Sequence, residues 1–530
     1  MRGGVRGLRY LFDREEGVGD HLIARWLFLR AMGAIYFSAF LALVFQVRGM
    51  IGTQGVLPAG EYLQRVGQAF GGLRFWYAPT LLWWVGSGNH VLTAVVWVGL
   101  VASVLVVANV APRAALVVCF VCFLSFIGVA QDFGQYQSDG MLLEAGFLSL
   151  FVAPGGLWPG WGRKSLAVRA AWFLLLWEWF RIYFESGVVK LMGGDATWRN
   201  LTAMYEYYQN GPLPTWVGWY LQHLPHWFQK ATAGATLGME LVLVWMAFLP
   251  RRWRIACFCI VTAWQVVVIA TANYAFLNYL VLVLAVLLLD DRALRRFVPG
   301  RWRLSNGSPA QVSEARPGAP GSEVTRLGGV RVAVTVVALT LVGYVTTAEM
   351  VEMFWPEAPV WNAPVAMLEP LRIANQYGLF AVMTPHRYEI EFQGSNDGQT
   401  WTPYLFRFKP QDVRERPGIY APYQPRFDWN LWFASLTNWQ DAPIVPLTEE
   451  RLLEGDKDVL GLFRGDAFAG RSPKMVRAVL WQYWFSTPEE KRGQGVWWTR
   501  QLLGTYAPTV ERLPDGRFVQ IEAPTLNGPP

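Results

Sequence analysis

Charged residues are scarce in this sequence of 530 residues: Asp, Glu, Lys and Arg make up 16% of it, where soluble domains carry about a quarter. This scarcity argues against an ordinary cytosolic enzyme. Hydrophobic residues account for 53% and aromatic residues for 15%, which excludes a disordered or collagen-like chain. The apolar residues crowd into the first 350 positions. The sequence therefore predicts a mainly α-helical polytopic membrane protein followed by a β-rich soluble C-terminal domain.

Cysteine is also rare, and no cysteine follows residue 350. The C-terminal domain therefore contains no intramolecular disulfide. The four cysteines lie in predicted membrane segments, at Cys119, Cys122, Cys257 and Cys259. Cys119 and Cys122 have redox-motif spacing, but they belong to an apolar helix without a βαβ pattern, which favours a packing role.

Motifs of nucleotide binding and hydrolysis are missing, as are the serine-hydrolase and zinc-protease signatures. His223 and His226 have a spacing that a metal could use, but no carboxylate or cysteine accompanies them at ligand spacing. The net charge of +7 is distributed over short loops and forms no single basic patch. We therefore expect no metal, no cofactor and no nucleic-acid partner.

Nine apolar runs resemble membrane-spanning helices, which need about 17–25 mostly apolar residues. They lie at 22–47, 90–110, 114–130, 140–153, 170–189, 231–249, 255–272, 274–289 and 331–347. Because several runs are short or contain polar residues, the sequence predicts eight or nine spans. The stretch 72–86 is rich in Trp and Phe, which is typical of an interfacial or re-entrant element.

Basic residues indicate the orientation. With nine spans, the arginine-rich N-terminus and the basic loops 154–169 and 250–254 fall on one side, which the positive-inside rule makes cytoplasmic. We therefore expect three parts. They are a cytoplasmic N-terminal segment (1–21), a multi-pass transmembrane domain (22–347) with a cytoplasmic Pro/Gly/Ser linker at about 304–329, and a non-cytoplasmic β-rich C-terminal domain (348–530).

The residue usage, rich in Arg, Ala, Val and Gly, favours a bacterial origin. The expected location is then the bacterial plasma membrane, with a periplasmic C-terminal domain. In a eukaryote, the same topology corresponds to the endoplasmic reticulum membrane with a lumenal C-terminal domain.

Alternating apolar and polar residues predict strands in the C-terminal domain. The first strand covers 387–393, the turn Asn396-Asp397-Gly398 follows it, and 401–408 is the expected return strand. A second β-like run covers 475–485, and 447–464 is predicted to be a helix.

A polar cluster follows and partly overlaps the span at 170–189. Its members are Glu178, Arg181, Glu185, Lys190, Asp195, Trp198, Arg199 and Asn200. The spacing of Arg181 from Glu178 and Glu185 places opposite charges on one helix face, which predicts ion pairs that hold helices together. The alternative is a polar cavity near the outer surface, in which a desolvated Lys190 binds a ligand or acts as a base.

Several stretches resemble the lipase maturation factors. In the membrane half they are YFESGVVKLMGGDATWRNLTAMYEYYQNGPLP (183–214), YLQHLPHWFQK (220–230) and TANYAFLNYL (271–280). In the outer domain they are 375–401 and 421–436. The resemblance implies a multi-pass membrane protein whose C-terminal domain faces the lumen, and which assists the folding and assembly of secreted lipases without known catalysis.

The segment YFESGVVKL (183–191) also resembles, more faintly, vitamin K-dependent γ-carboxylases. That resemblance implies an alternative, an integral-membrane enzyme that uses Lys190 as its catalytic base with a quinone-type or lipid cofactor. A transporter is least favoured, because no inverted repeat is visible.

The leading hypothesis is a maturation factor whose partners are the lipid bilayer and exported client proteins, which by family resemblance are lipases. It predicts exposed aromatic residues on the outer face that contact a partly folded client. The candidate contact residues are Tyr420, Tyr423, Phe427, Trp429 and Trp432. The competing interpretation places each of these aromatics in the core of the C-terminal domain.

Overall fold

The computed structural model describes residue 7, residues 10–297 and residues 326–526. In these ranges a helix lies at each predicted span, and we name these helices α1 to α9. They are α1 (Leu22–Ile51), α2 (Asn89–Val107), α3 (Pro112–Ile127), α4 (Gln137–Val152), α5 (Arg169–Met192), α6 (His226–Leu241), α7 (Arg251–Thr271), α8 (Leu277–Ala285) and α9 (Arg326–Phe354). Short 3₁₀ turns extend α6 to Phe248 and α8 to Leu288.

Five of these helices are long and apolar enough to cross a membrane: α1, α2, α6 with its extension, α7 and α9. Helices α3 and α8 are apolar but shorter. The fold class is therefore confirmed as a helical membrane half followed by a sheet-rich half, whereas the count of eight or nine crossings stays a prediction.

Helix α1 lies at the centre of the helical domain, where it packs against α2, α3, α4 and α8. Its apolar residues occur on all faces, as expected for a helix surrounded by others. Of the 18 consecutive residues that form its most apolar stretch, 61% are buried. In the most apolar stretches of the other helices, the buried share of residues is lower: 28% for extended α6 and 22% for α7 and for α9. These three helices therefore lie at the periphery of the helical domain, and their exposed apolar faces suit a lipid environment.

Shorter helices connect the long ones. They are Ala59–Phe70, Arg74–Tyr77, Leu82–Val85, Ala196–Arg199, Met204–Asn210, Trp216–Gln222 and Asp291–Leu294. Phe75, Trp76 and Trp84, in the stretch predicted to be interfacial, are exposed. The predicted linker at 304–329 lies outside the described residues, apart from its last four positions, which belong to α9.

The C-terminal half is built on one antiparallel sheet. Its strands are β1 (Arg387–Ser395), β2 (Thr402–Pro403), β3 (Met475–Phe485), β4 (Trp498–Thr505), β5 (Thr509–Arg512) and β6 (Phe518–Glu522). The strand order is β2-β1-β3-β5-β6. Strands β4 and β5 both pair with the edge of β3 opposite β1: β5 pairs with the start of β3, and β4 pairs with the rest of it. The helices of this half are Asn362–Leu368, Arg426–Ala434, Ile444–Glu454, Lys457–Leu460 and Pro488–Gln494.

Strands β1 and β3 confirm the predicted runs at 387–393 and 475–485. The return strand at 401–408 is wrong beyond Pro403, because the N–H groups of Phe406 and Phe408 donate to the side chains of Gln411 and Asp428. The predicted helix 447–464 divides at Gly455, which has the left-handed φ of +69° and ends the first of two helices.

Candidate functional site

The polar residues of α5 bind the backbone of an irregular stretch in the C-terminal half, residues 375–383, which we call the docking segment. Arg181 donates to the Asn375 carbonyl at 2.5 Å. Four residues further along α5, Glu185 accepts from the Tyr377 N–H at 2.7 Å. Because residues spaced by four share one helix face, this face of α5 forms a polar seat for the docking segment.

Arg181 is the central charge of this seat. It is fully buried, donates to Glu144 of α4, and lies 3.8 Å from the Glu185 carboxylate. Glu144 in turn accepts from the Asn375 N–H at 3.0 Å and the Tyr377 hydroxyl at 2.8 Å. The predicted ion pair on one face of α5 is thus present, but its strongest contact is to a carboxylate of a different helix.

Glu178 is also fully buried, one turn before Arg181. Within the described residues it forms no ion pair, so the predicted pairing of Arg181 with Glu178 is wrong. Arg181 donates to Glu144 of α4 instead.

Lys190, the candidate base of the alternative interpretation, is buried in the last turn of α5. Its ammonium group lies 2.9 Å from Glu240 of α6 and donates to the Leu379 carbonyl at 2.9 Å. Its Nζ also lies 5.1 Å from the centre of the Trp198 ring, a cation–π distance. With a carboxylate and a carbonyl as its partners, Lys190 joins α5 to α6 and to the docking segment.

The remaining members of the predicted cluster divide into two groups. Asp195 begins the helix Ala196–Arg199 and accepts from the N–H groups of Thr197 and Met383 at 2.8 Å each. Although partial burial opposes it, these donors hold the pKa of Asp195 below its ordinary value. The Trp198 indole donates to the Phe380 carbonyl at 3.0 Å.

Arg199 and Asn200 are exposed and do not belong to the site. The prediction that they join the cluster is wrong, because both side chains are exposed and Arg199 donates to the nearby Gly194 carbonyl at 3.5 Å. The structure therefore brings together Arg181, Glu185, Lys190, Asp195 and Trp198, all of which contact or adjoin the docking segment.

A cavity of about 390 Å³ lies beside the Lys190–Glu240 pair, between α5, α6, α7 and α8. Its walls are mostly aliphatic and aromatic. At the far side, Asn278 donates to Gln265 at 2.6 Å, and Gln265 donates to the Tyr183 hydroxyl at 2.5 Å. A cavity therefore lies next to Lys190, but the prediction that it is polar is wrong, because its walls are mostly apolar and its few polar groups bond to one another.

The prediction of an exposed aromatic surface is wrong for Phe427, Trp429 and Trp432, which are buried. The helix Arg426–Ala434 packs against β1 and against the turn before α4, so its aromatic residues fill the boundary between the two halves. Tyr420 and Tyr423 are half-buried, and the Tyr423 hydroxyl accepts from Gln46 of α1 at 3.1 Å.

Sequence analysis missed the arginines that join the two halves. Arg426 is fully buried and donates to both carboxylate oxygens of Asp139 at 2.7 Å. Arg387 is also buried and donates to the carbonyls of Gln209 and Pro212 at 3.0 and 3.1 Å. The available signal was Asp139, an acid in an apolar segment, because a buried acid requires a cation as its partner.

No group of three or more His, Cys, Asp and Glu side chains that could hold a metal ion occurs within the described ranges. His223 faces the Trp219 carbonyl at 2.7 Å, and His226 faces the Gln229 side chain at 3.2 Å.

Two family models match this chain. The lipase maturation factor transmembrane domain matches residues 23–296, and the lipase maturation factor C-terminal domain matches residues 373–508. The second match begins just before the docking segment.

The same similarity extends to whole proteins. The chain is 32% identical over 514 residues to lipase maturation factor 1 of Bos taurus, covering 93% of this chain and 90% of the bovine protein. It is 30% identical over 615 residues to lipase maturation factor 2 of Gallus gallus, covering 95% of this chain and 82% of the chicken protein. The human lipase maturation factor 1 is 30% identical over 513 residues, covering 92% and 88%. No solved structure matches this chain.

Proposed function

This chain belongs to the lipase maturation factor family, and we propose that it assists the folding and assembly of exported lipases at the outer face of a membrane. The observation that carries the proposal is the polar seat on α5. It attaches the C-terminal half to the membrane helices through buried charges and backbone hydrogen bonds. A domain held in this way supplies a fixed surface on which a client protein can fold.

The carboxylase-like alternative is not favoured, because the proteins similar to this chain over both halves are lipase maturation factors. The contacts of Lys190 agree with this conclusion. Its ammonium group contacts Glu240 and the Leu379 carbonyl, which are structural contacts that join α5 to α6 and to the docking segment.

Client contact is assigned to the exposed part of the C-terminal sheet. Strand β6 is at the end of the sheet, and within the described residues no other strand pairs with its outer edge. Its apolar residues Val519 and Ile521 are exposed on one face. An exposed apolar edge strand can pair with an extended segment of another chain, so β6 fits an incompletely folded client. Tyr420 and Tyr423 are secondary candidates.

The proposed orientation has nine crossings, with residues 1–21 in the cytoplasm and residues 348–526 on the opposite side. The distribution of basic loops supports it. The vertebrate origin of the relatives favours the endoplasmic reticulum as the compartment, with the plasma membrane as the bacterial equivalent. Protease protection of sealed membrane vesicles tests the orientation: the C-terminal half is expected to be cleaved only after the vesicles are opened.

The direct test of function uses cells whose own lipase maturation factors have been deleted and which express a secreted lipase. The full-length chain is introduced, and secreted lipase activity is measured per unit mass of secreted lipase. We expect this specific activity to rise above the empty-vector control, because the chain increases the fraction of correctly assembled lipase.

Two controls sharpen this test. Membrane fractionation confirms that the introduced chain is present, and a secreted hydrolase unrelated to lipases should not respond. If the chain is present in the membrane and the specific activity of the lipase does not change, the maturation role is contradicted.

A further inference from the structure

The cavity beside Lys190 and Glu240 has no assigned occupant, although it reaches the lipid-facing surface. Among its lining residues, Ala231 and Ala235 of α6 and Val267 of α7 are exposed. The opening therefore lies between α6 and α7, the two peripheral helices whose apolar windows are mostly unburied. A molecule in the bilayer can enter this cavity from the side without passing through water.

The walls of the cavity fit a hydrocarbon chain. They are formed mainly by aliphatic and aromatic side chains, among them Ile182, Met239 and Val281. Ligand sites are typically apolar, with a few polar groups that fix orientation, and measure about 300–1,000 Å³. A volume of about 390 Å³ lies near the lower limit of this range, which favours a single chain over a phospholipid with two chains.

In the part of the chain that the structure describes, one buried polar atom of the cavity wall has no hydrogen-bond partner. Glu240 is 8% exposed, and its Oε1 is paired with Lys190. Its Oε2 is buried and accepts no hydrogen bond from the described residues. By contrast, Gln265 and Asn278 bond to each other, and the Thr236 hydroxyl donates to its own helix. A buried acceptor without a donor is costly, so Oε2 is the place where the occupant must supply a hydrogen.

The charges around Oε2 restrict the headgroup. Lys190 and Glu240 form a neutral pair, so an additional charge in this apolar space would lack a counter-ion. A carboxylate would face Glu240, and an amine would face Lys190. An uncharged hydroxyl group donates a hydrogen bond to Oε2 and adds no charge.

We infer that this cavity is a binding site for a single-chain membrane lipid with an uncharged, hydroxyl-bearing headgroup. The hydroxyl donates to Glu240 Oε2, and the hydrocarbon chain lies along α6 and α7. Monoacylglycerols and long-chain alcohols both have this chemistry.

The test uses the full-length protein in phosphatidylcholine nanodiscs and a monoacylglycerol with a photoreactive diazirine in its acyl chain. After irradiation, labelled peptides are identified by mass spectrometry. We expect the label in the cavity-lining parts of 226–248 and 251–271, with competition by excess unlabelled monoacylglycerol. A second arm uses a long-chain alcohol as competitor, and the stronger competitor identifies which of the two sources the site prefers.

Ala235→Phe places a ring in the mouth of the cavity without changing Lys190 or Glu240. We expect it to reduce cavity labelling at least about fivefold, because the volume near the lower limit for ligand sites leaves no room for both ring and chain. The matched control is Ala263→Phe, an exposed position of α7 that does not line the cavity. It should label like the wild type.

Glu240→Gln tests the headgroup. In the wild type, the hydroxyl-bearing probe should label the cavity more than a methyl-ester probe of equal chain length, by about threefold to tenfold for one hydrogen bond. The variant should lose this preference, because an amide NH₂ replaces the accepting Oε2.

Uniform labelling of all lipid-facing helices, unaffected by Ala235→Phe, would overturn the inference, because the probe would then lie in the bulk bilayer and not in the cavity. Labelling that Ala235→Phe abolishes but that shows no preference for the hydroxyl probe would overturn the assignment of the headgroup.

Discussion

Two interpretations of this protein differ in the role of Lys190, and the contacts of this residue favour the structural one. A lysine that acts as a catalytic base must have a neutral amine that is free to accept a proton from the substrate. The structure instead gives Lys190 the partners Glu240 and the Leu379 carbonyl at 2.9 Å each. A buried pair of this kind joins elements, in this case α5, α6 and the docking segment.

The Lys190→Met variant tests this structural role. It leaves Glu240 buried and without its cation, which costs about 3–5 kcal/mol of unfolding free energy when one partner of a buried pair is removed. The double variant Lys190→Met/Glu240→Met removes both charges and should recover most of the loss. The measurement is thermal unfolding of the full-length protein in detergent.

The same double variant separates structure from catalysis. In the lipase secretion assay it should retain most of the wild-type activity, whereas an enzyme that requires Lys190 as a base would be inactive. Arg492→Met, which breaks an exposed ion pair with Glu489, is the control and should change stability by less than about 1 kcal/mol. A single variant as stable as the wild type would contradict the structural role of the pair.

Asp428 is a buried acid of the C-terminal half whose titration affects stability. Burial raises the pKa of its carboxyl to about 6, although Lys409 and two backbone N–H groups oppose the shift. Because the folded pKa lies above the ordinary value of 3.8, the stabilising contribution of the protonated form is complete below that value and is lost as the pH rises through 6.

Replacing Asp428 with Asn removes this pH dependence. The melting temperature of Asp428→Asn relative to wild type should therefore increase between pH 3.8 and pH 6 and level off above. Asp397→Asn is the control: backbone donors lower the pKa of Asp397 to about 2, so its relative melting temperature should be flat over the same window. A flat curve for Asp428→Asn would contradict the raised pKa.

Helices α5 and α6 meet at a glycine, and this contact sets the position of the Lys190–Glu240 pair. A Cβ atom at Gly187 would lie 2.9 Å from Glu240 Cβ and 2.9 Å from Leu241 side-chain atoms. Real Cβ contacts do not come so close, so any larger residue at this position must separate the two helices.

The Gly187→Ala variant should therefore be less stable, despite the better helix propensity of alanine. We expect a loss of about 1–3 kcal/mol, as for other overpacked sites, measured by thermal unfolding. Gly238→Ala on α6 is a matched control, because a Cβ there has no atom within 4 Å, and it should gain up to about 1 kcal/mol from propensity. Equal stability of the two variants would show that α6 moves freely against α5.

Strand β6 is the element to which we assign client contact, and its two exposed apolar residues make the assignment testable. Val519→Lys/Ile521→Lys places charge on the edge, a common protection against pairing with other chains. The secreted lipase activity per unit mass should fall at least severalfold, while the melting temperature stays near wild type because both side chains are exposed. The control is Arg517→Lys, which keeps the charge of an exposed residue close to β6.

If Val519→Lys/Ile521→Lys supports lipase secretion as well as the wild type does, client contact lies elsewhere. Tyr420 and Tyr423 would then be the next positions to substitute.

Helix positions and strand patterns could be predicted from this sequence because both depend on local periodicity. The helix α1, for example, follows from its long apolar run, and β3 matches the predicted residues 475–485. The partners of charged residues could not be predicted in the same way. Glu240 lies 50 positions from Lys190, and Arg426 lies 287 positions from Asp139, so only the three-dimensional packing brings them together.

The aromatic residues of the C-terminal half show a second limit of prediction from sequence. Large aromatic side chains such as Phe427, Trp429 and Trp432 occur both in protein cores and on surfaces that bind other proteins, so residue type alone does not distinguish the two. Whether these side chains are buried depends on what packs against them. In this structure that is the turn before α4, which is far away in the chain. For the same reason, the cavity beside Lys190 was expected from its polar residues but not as an apolar space.

At the scale of the whole molecule, the membrane half and the C-terminal half form one unit. The docking segment lies on α5, Arg426 reaches Asp139 at the start of α4, and Gln46 of α1 donates to the Gln424 carbonyl at 2.9 Å. These contacts are spread over three long helices. The position of the C-terminal half, and of the client-binding surface that we propose on it, is therefore determined by its contacts with the membrane helices.

Arg426→Met tests this coupling, because it removes the buried cation that donates to both oxygens of Asp139 and leaves that acid unpaired. We expect the C-terminal half to separate from the helices and the exposed stretch around Trp355 and Trp361 to be cleaved severalfold faster by chymotrypsin. Arg464→Met, which breaks an exposed pair with Glu415, is the matched control and should be cleaved like the wild type. Equal cleavage of both variants would mean that the two halves are held together without the buried arginine.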